Sequence, residues 1–213
     1  MSENRLKYEL QNLLSGKSSV SHGTLILSIA NHLKPSAPTG PLAQTGKLYK
    51  EEETEKLINY ISQNKLWVVD LDISKFISQG AEQRVFILDE KHVFKLNDSI
   101  YYASWFDYLN NLLLNNYFFP DTAYKLTGFY KQDESLYAVV EQNYVIATHK
   151  TDLKKVKEFM ENNGFLNIRN HDYYHPYLGI ILEDLHDENV LTQNDILYFI
   201  DTVFYVKPEV FWN

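Results

Sequence analysis

Three polar side chains in the last third of the sequence have types and spacing that suit a metal ion and a reacting hydroxyl group. The stretch LEDLHDENVLTQNDILYFIDT, from Leu182 to Thr202, places Asp184 five positions before Asn189 and Asp201 twelve positions after it. A carboxylate can orient an attacking hydroxyl, and an amide oxygen with a second carboxylate suits magnesium, which prefers oxygen ligands. The stretch therefore predicts a phosphoryl-transfer site, although Asp and Asn also favour turns and an acidic surface hairpin would have a similar composition.

Two further residues, Lys95 and Gly80, could hold the phosphates of a nucleotide. Lys95 ends the apolar run HVFK, and Gly80 lies in the turn before RVFIL. A lysine on a strand can neutralise phosphates, and a glycine-bearing turn allows the backbone to cover them. Each residue also has an ordinary interpretation, because a lysine at a strand end often extends into water and glycine is common in hairpin turns.

Alternating apolar residues predict antiparallel strands around Lys95. KFISQGAEQRVFILDEKHVFKL contains two or three β-rich runs with turns at Gly80 and at Asp89–Lys91, and AYKLTGFY and SLYAVVEQNYV predict two more strands. The segment SIYYASWFDYLNNLLLNN, which lies between HVFKL and AYKLTGFY, predicts a long helix with Asp98 as its N-cap. Asp107 is the only acid in that helix. Beyond it, THKTDLKKVKEFMENNGF predicts a capped helix, and GIIL and ILYFI predict strands.

Helical periodicity marks the first part of the chain. NRLKYELQNLL repeats leucine on one face before Gly16, and a second helix is predicted after Ser21, through HGTLILSIANHL, stopping before Pro35. Residues 35–46 carry three prolines and two glycines, which indicates an extended connector. KEEETEKLINYISQNKLW then predicts a third helix, in which the acidic run from Glu51 to Thr54 is expected to be a solvated helix start.

Composition limits the class of protein. The 213 residues are 45% hydrophobic, which is enough for one or two domains with a sizeable core. The net charge of -8 does not favour binding to nucleic acid. Cysteine is absent, which fits a reducing compartment, and no apolar run approaches the length that crosses a membrane. We expect a soluble cytoplasmic protein.

The quoted motifs together resemble the protein-kinase-like superfamily. GAEQRVFILDEKHVFKL, AVVEQNYV and LEDLHDENVLTQNDILYFIDT carry the resemblance, which covers Phe76 to about Phe204 and is strongest to the kinase-like proteins in polyvalent proteins of bacterial mobile elements. The resemblance implies an α+β, minimal two-lobed kinase-like fold with a truncated C-terminal lobe. The implied domains are an N-terminal helical annex over 1–66, an N-lobe over 67–145 and a reduced C-lobe with the catalytic hairpin over 146–213.

The resemblance also implies a role for each candidate residue. It implies ATP and Mg²⁺ as cofactors, with adenine meeting the backbone where AVVEQNYV changes from apolar strand to polar linker. The implied catalytic residues are Asp184 and Lys95, the implied nucleotide-binding residues are Gly80, Lys95, Glu141 and Tyr144, and the implied magnesium ligands are Asn189 and Asp201.

Departures from the kinase pattern leave a second function open. No arginine precedes Asp184, since Glu183 stands there, and Thr202 rather than phenylalanine follows Asp201. The glycine loop is reduced, with Ser78 and Gln83 where further glycines are usual. The first interpretation is an ATP- and magnesium-dependent phosphotransferase with an unknown protein or small-molecule acceptor. The alternative is a nucleotide-binding pseudokinase that serves a protein partner.

Histidines suggest a third and more remote function, a metal-dependent hydrolase. His171 and His175 occur in the Tyr-rich stretch HDYYH, and His186 lies beside Asp184. Because Pro176 follows, we interpret His171 and His175 as ordinary loop histidines. His186 is expected to shape the loop by side-chain hydrogen bonding rather than to bind a metal.

Overall fold

A computed structural model describes residues 3–34, 46–80 and 83–207 of the chain. They form α-helices and antiparallel β-sheets, which confirms the mixed α and β composition predicted from sequence. The contacts divide the chain into two compact units. We call residues 19–116 and 123–144 the meander unit, and residues 1–18, 117–122 and 145–213 the hairpin unit.

The meander unit is built on a five-stranded antiparallel sheet. The strands follow the order β1-β2-β3-β5-β4, so the predicted meander and the two later strands are confirmed. Stacking of Phe86 on Phe94, with ring centroids 4.9 Å apart, contributes to the core on the sheet. Its elements are α2 Gly23–Leu33, α3 Gly46–Gln63, β1 Phe76–Gln79, β2 Gln83–Ile87, β3 His92–Asn97, α4 Trp105–Phe118, whose last two residues group with the hairpin unit, β4 Lys125–Gln132 and β5 Ser135–Asn143.

The chain between α3 and β1 covers the outer edge of β4. The N–H of Phe129 donates to the carbonyl of Leu66 at 2.9 Å, and the N–H of Val68 donates back to the carbonyl of Phe129 at 2.8 Å. The two backbones approach closely at Gly128, where an added Cβ would lie 2.4 Å from the Leu66 oxygen. Glycine is therefore required at this position.

Helix α4 begins at Trp105 and not at Asp98, so the predicted N-cap is wrong. The cap is Ser104, whose hydroxyl accepts the N–H of Asp107 at 3.0 Å and donates to the Asp107 carboxylate at 2.7 Å. The Ser104 hydroxyl thus satisfies one of the backbone donors at the start of the helix. Ser99 has a positive φ of 57°, so the residues after Asp98 form a turn instead of a first helical turn.

Glu53 of α3 supplies further acceptors for the start of α4. Its carboxylate accepts the N–H of Trp105 at 2.6 Å and the N–H of Phe106 at 3.0 Å. The side chain is 2% exposed, so the expectation of a solvated acidic helix start is wrong at this residue. These backbone donors are the ones that the first turn of a helix leaves without partners, and a negative charge there is favoured by the helix dipole.

The hairpin unit contains two small antiparallel sheets. One has the order β11-β8-β7-β6, and the other is the hairpin of β9 and β10. The predicted helix after Thr151 and the predicted strands GIIL and ILYFI are confirmed. The elements are α1 Glu3–Leu14, a 3-10 turn at Pro120–Thr122, α5 Leu153–Asn162, β6 Leu166–Arg169, β7 Asp172–His175, β8 Ile180–Glu183, β9 Val190–Gln193, β10 Ile196–Phe199 and β11 Val203–Val206.

Residues Asp172–His175 of the HDYYH stretch form strand β7 and not the predicted loop, whereas His171 lies in the turn before the strand. β7 pairs with β8 in antiparallel register. Tyr173 and His175 lie on its buried face and alternate with more exposed residues. His175 is 5% exposed, and its Nδ1 accepts the N–H of Leu178 at 3.2 Å. The interpretation of His175 as an ordinary loop histidine is therefore wrong, and burial lowers the pKa of its imidazole.

The residues of the predicted helical annex over 1–66 fall in both units. α1 groups with the hairpin unit, whereas α2 and α3 group with the meander unit. Tyr117 of the hairpin unit donates to the Glu9 carboxylate of α1 at 2.7 Å. The division into an annex over 1–66, an N-lobe over 67–145 and a reduced C-lobe over 146–213 remains a prediction. In the described ranges, no helix has both the length and the apolar character needed to cross a membrane.

Candidate functional site

Asp184 follows β8 at the start of a tight loop. Its φ of 68° turns the chain, and its backbone N–H donates to Asp172 Oδ1 at 3.2 Å. Its carbonyl accepts the N–H of His186 at 2.9 Å, which closes the turn. The side chain of Asp184 is 59% exposed. A carboxylate in this position is accessible to a substrate hydroxyl.

Asn189 is bound directly to Asp184 within this loop. Its Nδ2 donates to both the carbonyl oxygen and the Oδ2 of Asp184, each at 2.9 Å. Because both neighbouring atoms are acceptors, only the nitrogen end of the amide can face them. The Oδ1 of Asn189 is therefore the end directed elsewhere, and an amide oxygen is a suitable ligand for a hard cation such as Mg²⁺.

Asp201 lies between β10 and β11, two residues after the end of the strand that was predicted to carry it. It is partly exposed. The backbone N–H of Ile200 donates to the Asn189 carbonyl at 2.9 Å, which ties the residue before Asp201 to the loop. A carboxylate and an amide oxygen thus belong to adjoining backbone segments.

Two residues that sequence reasoning missed hold the end of β10. The Thr122 hydroxyl donates to the Phe199 carbonyl at 2.5 Å, and the Phe119 ring stacks on the Phe199 ring with centroids 4.1 Å apart. Both contacts join residues about eighty positions apart, since Thr122 and Phe199 differ by 77. No local sequence pattern could have indicated them.

His186 contacts both sides of the loop. Its Nδ1 accepts the N–H of Glu188 at 3.2 Å, and its Nε2 lies 3.2 Å from Asp184 Oδ1. The prediction that His186 shapes the loop by side-chain hydrogen bonding is confirmed.

The acids around the loop have different electrostatic surroundings. Burial, followed by the charges of Asp172 and Asp184, raises the pKa of the Glu183 carboxyl. The pKa of Asp187 is lowered, chiefly because its carboxylate accepts a hydrogen bond from Lys150 at 3.0 Å. The residue in place of the usual arginine is thus a carboxyl group that resists ionisation.

Lys95 lies within β3 and does not end it, since the strand continues to Asn97. It faces Val85 across β2 and Val140 across β5, and the residue is 3% exposed. Its Nζ lies 5.3 Å from the centroid of the Tyr124 ring. The interpretation of a strand-end lysine that extends into water is therefore wrong.

The segment predicted to contact adenine, from Glu141 to Tyr144, remains β-strand for longer than expected. Glu141 remains inside β5, opposite Phe94 of β3 and Lys125 of β4, and its carboxylate lies 3.1 Å from the Lys125 Nζ. The N–H of Tyr144 donates to the Lys91 carbonyl at 2.7 Å. The change from strand to linker therefore comes after Asn143.

Gly80 closes the turn between β1 and β2. Its N–H donates to the Gln83 carbonyl at 3.0 Å. An added Cβ would have that oxygen as its nearest described neighbour, at 4.0 Å. The surrounding fold thus does not itself require glycine, and the proposed role of Gly80 depends on what the turn binds.

Asp107, the only acid of α4, is occupied by the helix cap. Burial raises the pKa of its carboxyl, while the Ser104 hydrogen bond and the Lys50 charge oppose that shift. Lys50 itself donates to the carbonyls of Ser99 at 2.5 Å and Tyr102 at 2.8 Å. Asp107 therefore serves the start of α4.

No group of three or more His, Asp or Glu side chains able to hold a metal occurs among residues 3–34, 46–80 and 83–207. The described part of the chain thus adds no support to the metal-hydrolase interpretation.

Comparison with known families assigns most of the chain to one family. A family model described as a serine/threonine/tyrosine kinase found in polyvalent proteins matches residues 50–208, which is 159 of the 213 residues. No curated protein and no solved structure matches the chain. The matched region contains every predicted site residue and begins within α3, earlier than the resemblance noted from Phe76.

Proposed function

The chain belongs to the family of serine/threonine/tyrosine kinases found in polyvalent proteins, and on this premise we propose that it transfers a phosphoryl group from magnesium-bound ATP to a hydroxyl acceptor. The main support is the direct pairing of Asp184 with Asn189, whose backbone carbonyl also binds the residue before Asp201. This arrangement supplies an accessible carboxylate bound to an amide group, with a second carboxylate on the adjoining backbone segment. Phosphoryl transfer depends on such positioning rather than on covalent chemistry by the protein.

In this proposal, the two carboxylates have different roles. Asp184 orients the acceptor hydroxyl and receives its proton, because its carboxylate is exposed and held by its own loop. Asn189 Oδ1 and the Asp201 carboxylate hold magnesium, which when bound neutralises charge on the phosphates. Lys95 binds the phosphates.

Two other candidates would contact the nucleotide through the backbone. The turn at Gly80 covers the phosphates, and the chain from Glu141 to Tyr144 lies next to adenine. Since the strand continues to Asn143, we place the adenine contact at the Tyr144 end of this segment. The acceptor is a protein or a small molecule.

We also propose where the enzyme works. The absence of cysteine fits a reducing compartment, and the polyvalent-protein family suggests a bacterial mobile element. A cytoplasmic enzyme of a bacterial mobile element is consistent with both.

The test compares Asp184→Asn with Asp201→Asn. Wild type should be stabilised by magnesium ATP, by about 2.7 kcal/mol at a ligand concentration about a hundred times Kd. Asp201→Asn should weaken magnesium-dependent nucleotide binding and turnover together, whereas Asp184→Asn should reduce only turnover. Asp195→Asn is the matched control, since Asp195 is an exposed acid in the β9–β10 turn.

Turnover is measured as autophosphorylation or slow hydrolysis of labelled ATP, so no acceptor has to be known. If folded wild type shows no thermal shift at millimolar magnesium ATP, the nucleotide part of the proposal is wrong. If wild type and Asp184→Asn bind nucleotide with equal background turnover, the protein is instead a nucleotide-binding pseudokinase with a protein partner.

A further inference from the structure

The proton on the His186 ring can be assigned from its contacts. Nδ1 accepts the backbone N–H of Glu188 at 3.2 Å. A ring nitrogen can accept only when it carries no hydrogen, so the neutral imidazole carries its proton on Nε2. A backbone donor therefore selects one tautomer.

The Nε2 that carries this hydrogen also lies close to one oxygen of the Asp184 carboxylate. It lies 3.2 Å from Oδ1, while the Asn189 amide donates to Oδ2 at 2.9 Å. Each carboxylate oxygen thus has an N–H group of a different side chain beside it. A contact at only one oxygen would leave the carboxylate able to rotate about its Cβ–Cγ bond, and exposure of 59% means that packing does not prevent this rotation.

We propose that His186, as its Nε2–H tautomer, is a positioning residue that fixes the plane of the Asp184 carboxylate toward the acceptor hydroxyl. Each carboxylate oxygen keeps a further lone pair for that hydroxyl, because a carboxylate has about four acceptor positions. The catalytic meaning of this role rests on the proposed function. The tautomer and the fixed carboxylate are properties of the free protein and are tested without it.

A second histidine provides the matched control. His149 also has its Nε2 near a carboxylate, at 3.7 Å from Asp195 Oδ1. Its Nδ1 lies 3.1 Å from the Thr148 hydroxyl, whose hydrogen can point either to that nitrogen or to the Thr192 carbonyl at 3.4 Å, so no backbone N–H selects the tautomer of His149.

Nitrogen-15 NMR of the whole protein reads the tautomer directly. At a pH where both rings are neutral, His186 should show a protonated Nε2 and an unprotonated Nδ1, whereas His149 should show a mixture. In Asp184→Ala, most His186 rings should still carry the proton on Nε2, because the Glu188 N–H still selects this tautomer. A His186 ring protonated at Nδ1 overturns the proposal whether or not the protein turns over ATP.

Two substitutions separate the two contacts of His186. His186→Asn keeps an acceptor near the Nδ1 position for the Glu188 N–H but cannot reach Asp184. His186→Gln places an amide nitrogen near the Nε2 position. We expect His186→Asn to lower kcat about tenfold to a hundredfold, because small displacements of a positioned group are costly, and His186→Gln to retain most of it.

Magnesium-ATP affinity should be unchanged in both variants, and His149→Gln should match wild type throughout. Equal turnover of His186→Asn and wild type, equal losses in His186→Asn and His186→Gln, or a fall in nucleotide affinity in both would overturn the positioning role. Should wild type show no turnover at all, the proposed function fails, and the NMR result alone decides the tautomer and its contact.

Discussion

Two turns of the protein combine an aspartate with a histidine, and they use the carboxylate differently. In the turn between β2 and β3, Asp89 Oδ1 accepts the N–H groups of Lys91 at 2.7 Å and His92 at 2.9 Å. Both oxygens of Asp89 also lie 3.0 Å from His92 Nδ1, and the pKa of Asp89 is lowered chiefly by that side-chain contact. In the loop after β8, the Asp184 carboxylate instead meets only side chains among its described contacts.

The difference lies in which groups satisfy the turn's own backbone. At Asp89 the carboxylate serves the N–H groups that follow it, so its acceptor positions are used to form the turn. At Asp184 the backbone is served by others, because its N–H donates to Asp172 and its carbonyl accepts from His186. This leaves the Asp184 carboxylate for another molecule. The aspartate proposed to act on a substrate is thus the one whose carboxylate the backbone of its own turn does not use.

The largest expected effect comes from replacing the aspartate of each turn by alanine and comparing the two variants. Asp184→Ala should lower turnover about a hundredfold or more, the scale of a positioned acid–base group, with little loss of stability. Asp89→Ala should leave turnover unchanged but lower the free energy of unfolding, since two backbone donors lose their acceptor. Urea denaturation and labelled-ATP turnover of both variants measure this. Equal losses of turnover would remove the distinction between the turns.

Glu53 extends the comparison to a carboxylate used by another helix. Glu53→Gln should lower the free energy of unfolding by about 1–2 kcal/mol, because one amide oxygen replaces a charged acceptor of two N–H groups at the start of α4. Glu51→Gln, an exposed change in the same helix, is the control and should have no measurable effect. Chemical denaturation distinguishes them, and similar values for both would contradict the capping role.

A smaller effect is expected when the support of Asp184 is removed. Asp172→Ala takes away the acceptor of the Asp184 N–H and should cost about 1 kcal/mol of stability. Turnover should fall severalfold because the Asp184 backbone is held less firmly. Asp172→Asn retains an acceptor oxygen and should lie close to wild type in both measurements. If the alanine and asparagine variants behave alike, the hydrogen bond has no positioning value.

The smallest effect is a difference in pH dependence between two structural acids. Burial, as the main cause, raises the pKa of Glu53 above 4.5. The stability linked to its bound proton is therefore fully present below pH 4.5 and is lost as pH rises through the folded-state pKa, whereas the ionised carboxylate still accepts the two N–H groups of α4. The pKa of Asp89 is lowered below 3.8, so its contribution is present above pH 3.8 and is lost as pH falls through the folded-state pKa.

Stability measured against pH for Glu53→Gln and Asp89→Asn checks these signs. The difference between wild type and Glu53→Gln should shrink with rising pH above 4.5, and that between wild type and Asp89→Asn should shrink with falling pH below 3.8. Parallel curves would mean that neither carboxyl titrates as described.

Features set by neighbouring residues could be predicted from the sequence. The strands flanking Gly80, the helix capped by Asp152 and the contacts of His186 depend on residues a few positions apart. The Asp184–Asn189 pair belongs to the same class, because its spacing of five lies within one loop.

Features set by distant residues could not. The start of α4 was misplaced because Ser104 and Glu53 cap it, and Glu53 lies 52 residues before Trp105. The strand Asp172–His175 was missed because the Pro after it resembled a loop signal, while the pairing with β8 that stabilises it is not visible locally. Thr122 and its contact with Phe199 were missed for the same reason.

The backbone cover at Leu66 has a consequence for self-association. The outer edge of β4 is closed because Phe129 donates to Leu66 and accepts from Val68. Open sheet edges present backbone donors and acceptors to other chains and promote edge-to-edge aggregation. A shortened protein that starts at residue 67 would lack the Leu66 carbonyl and expose the Phe129 N–H on this edge. Leu66 and Val68 thus occupy the backbone groups of Phe129 that another copy of the chain could otherwise pair with at this edge.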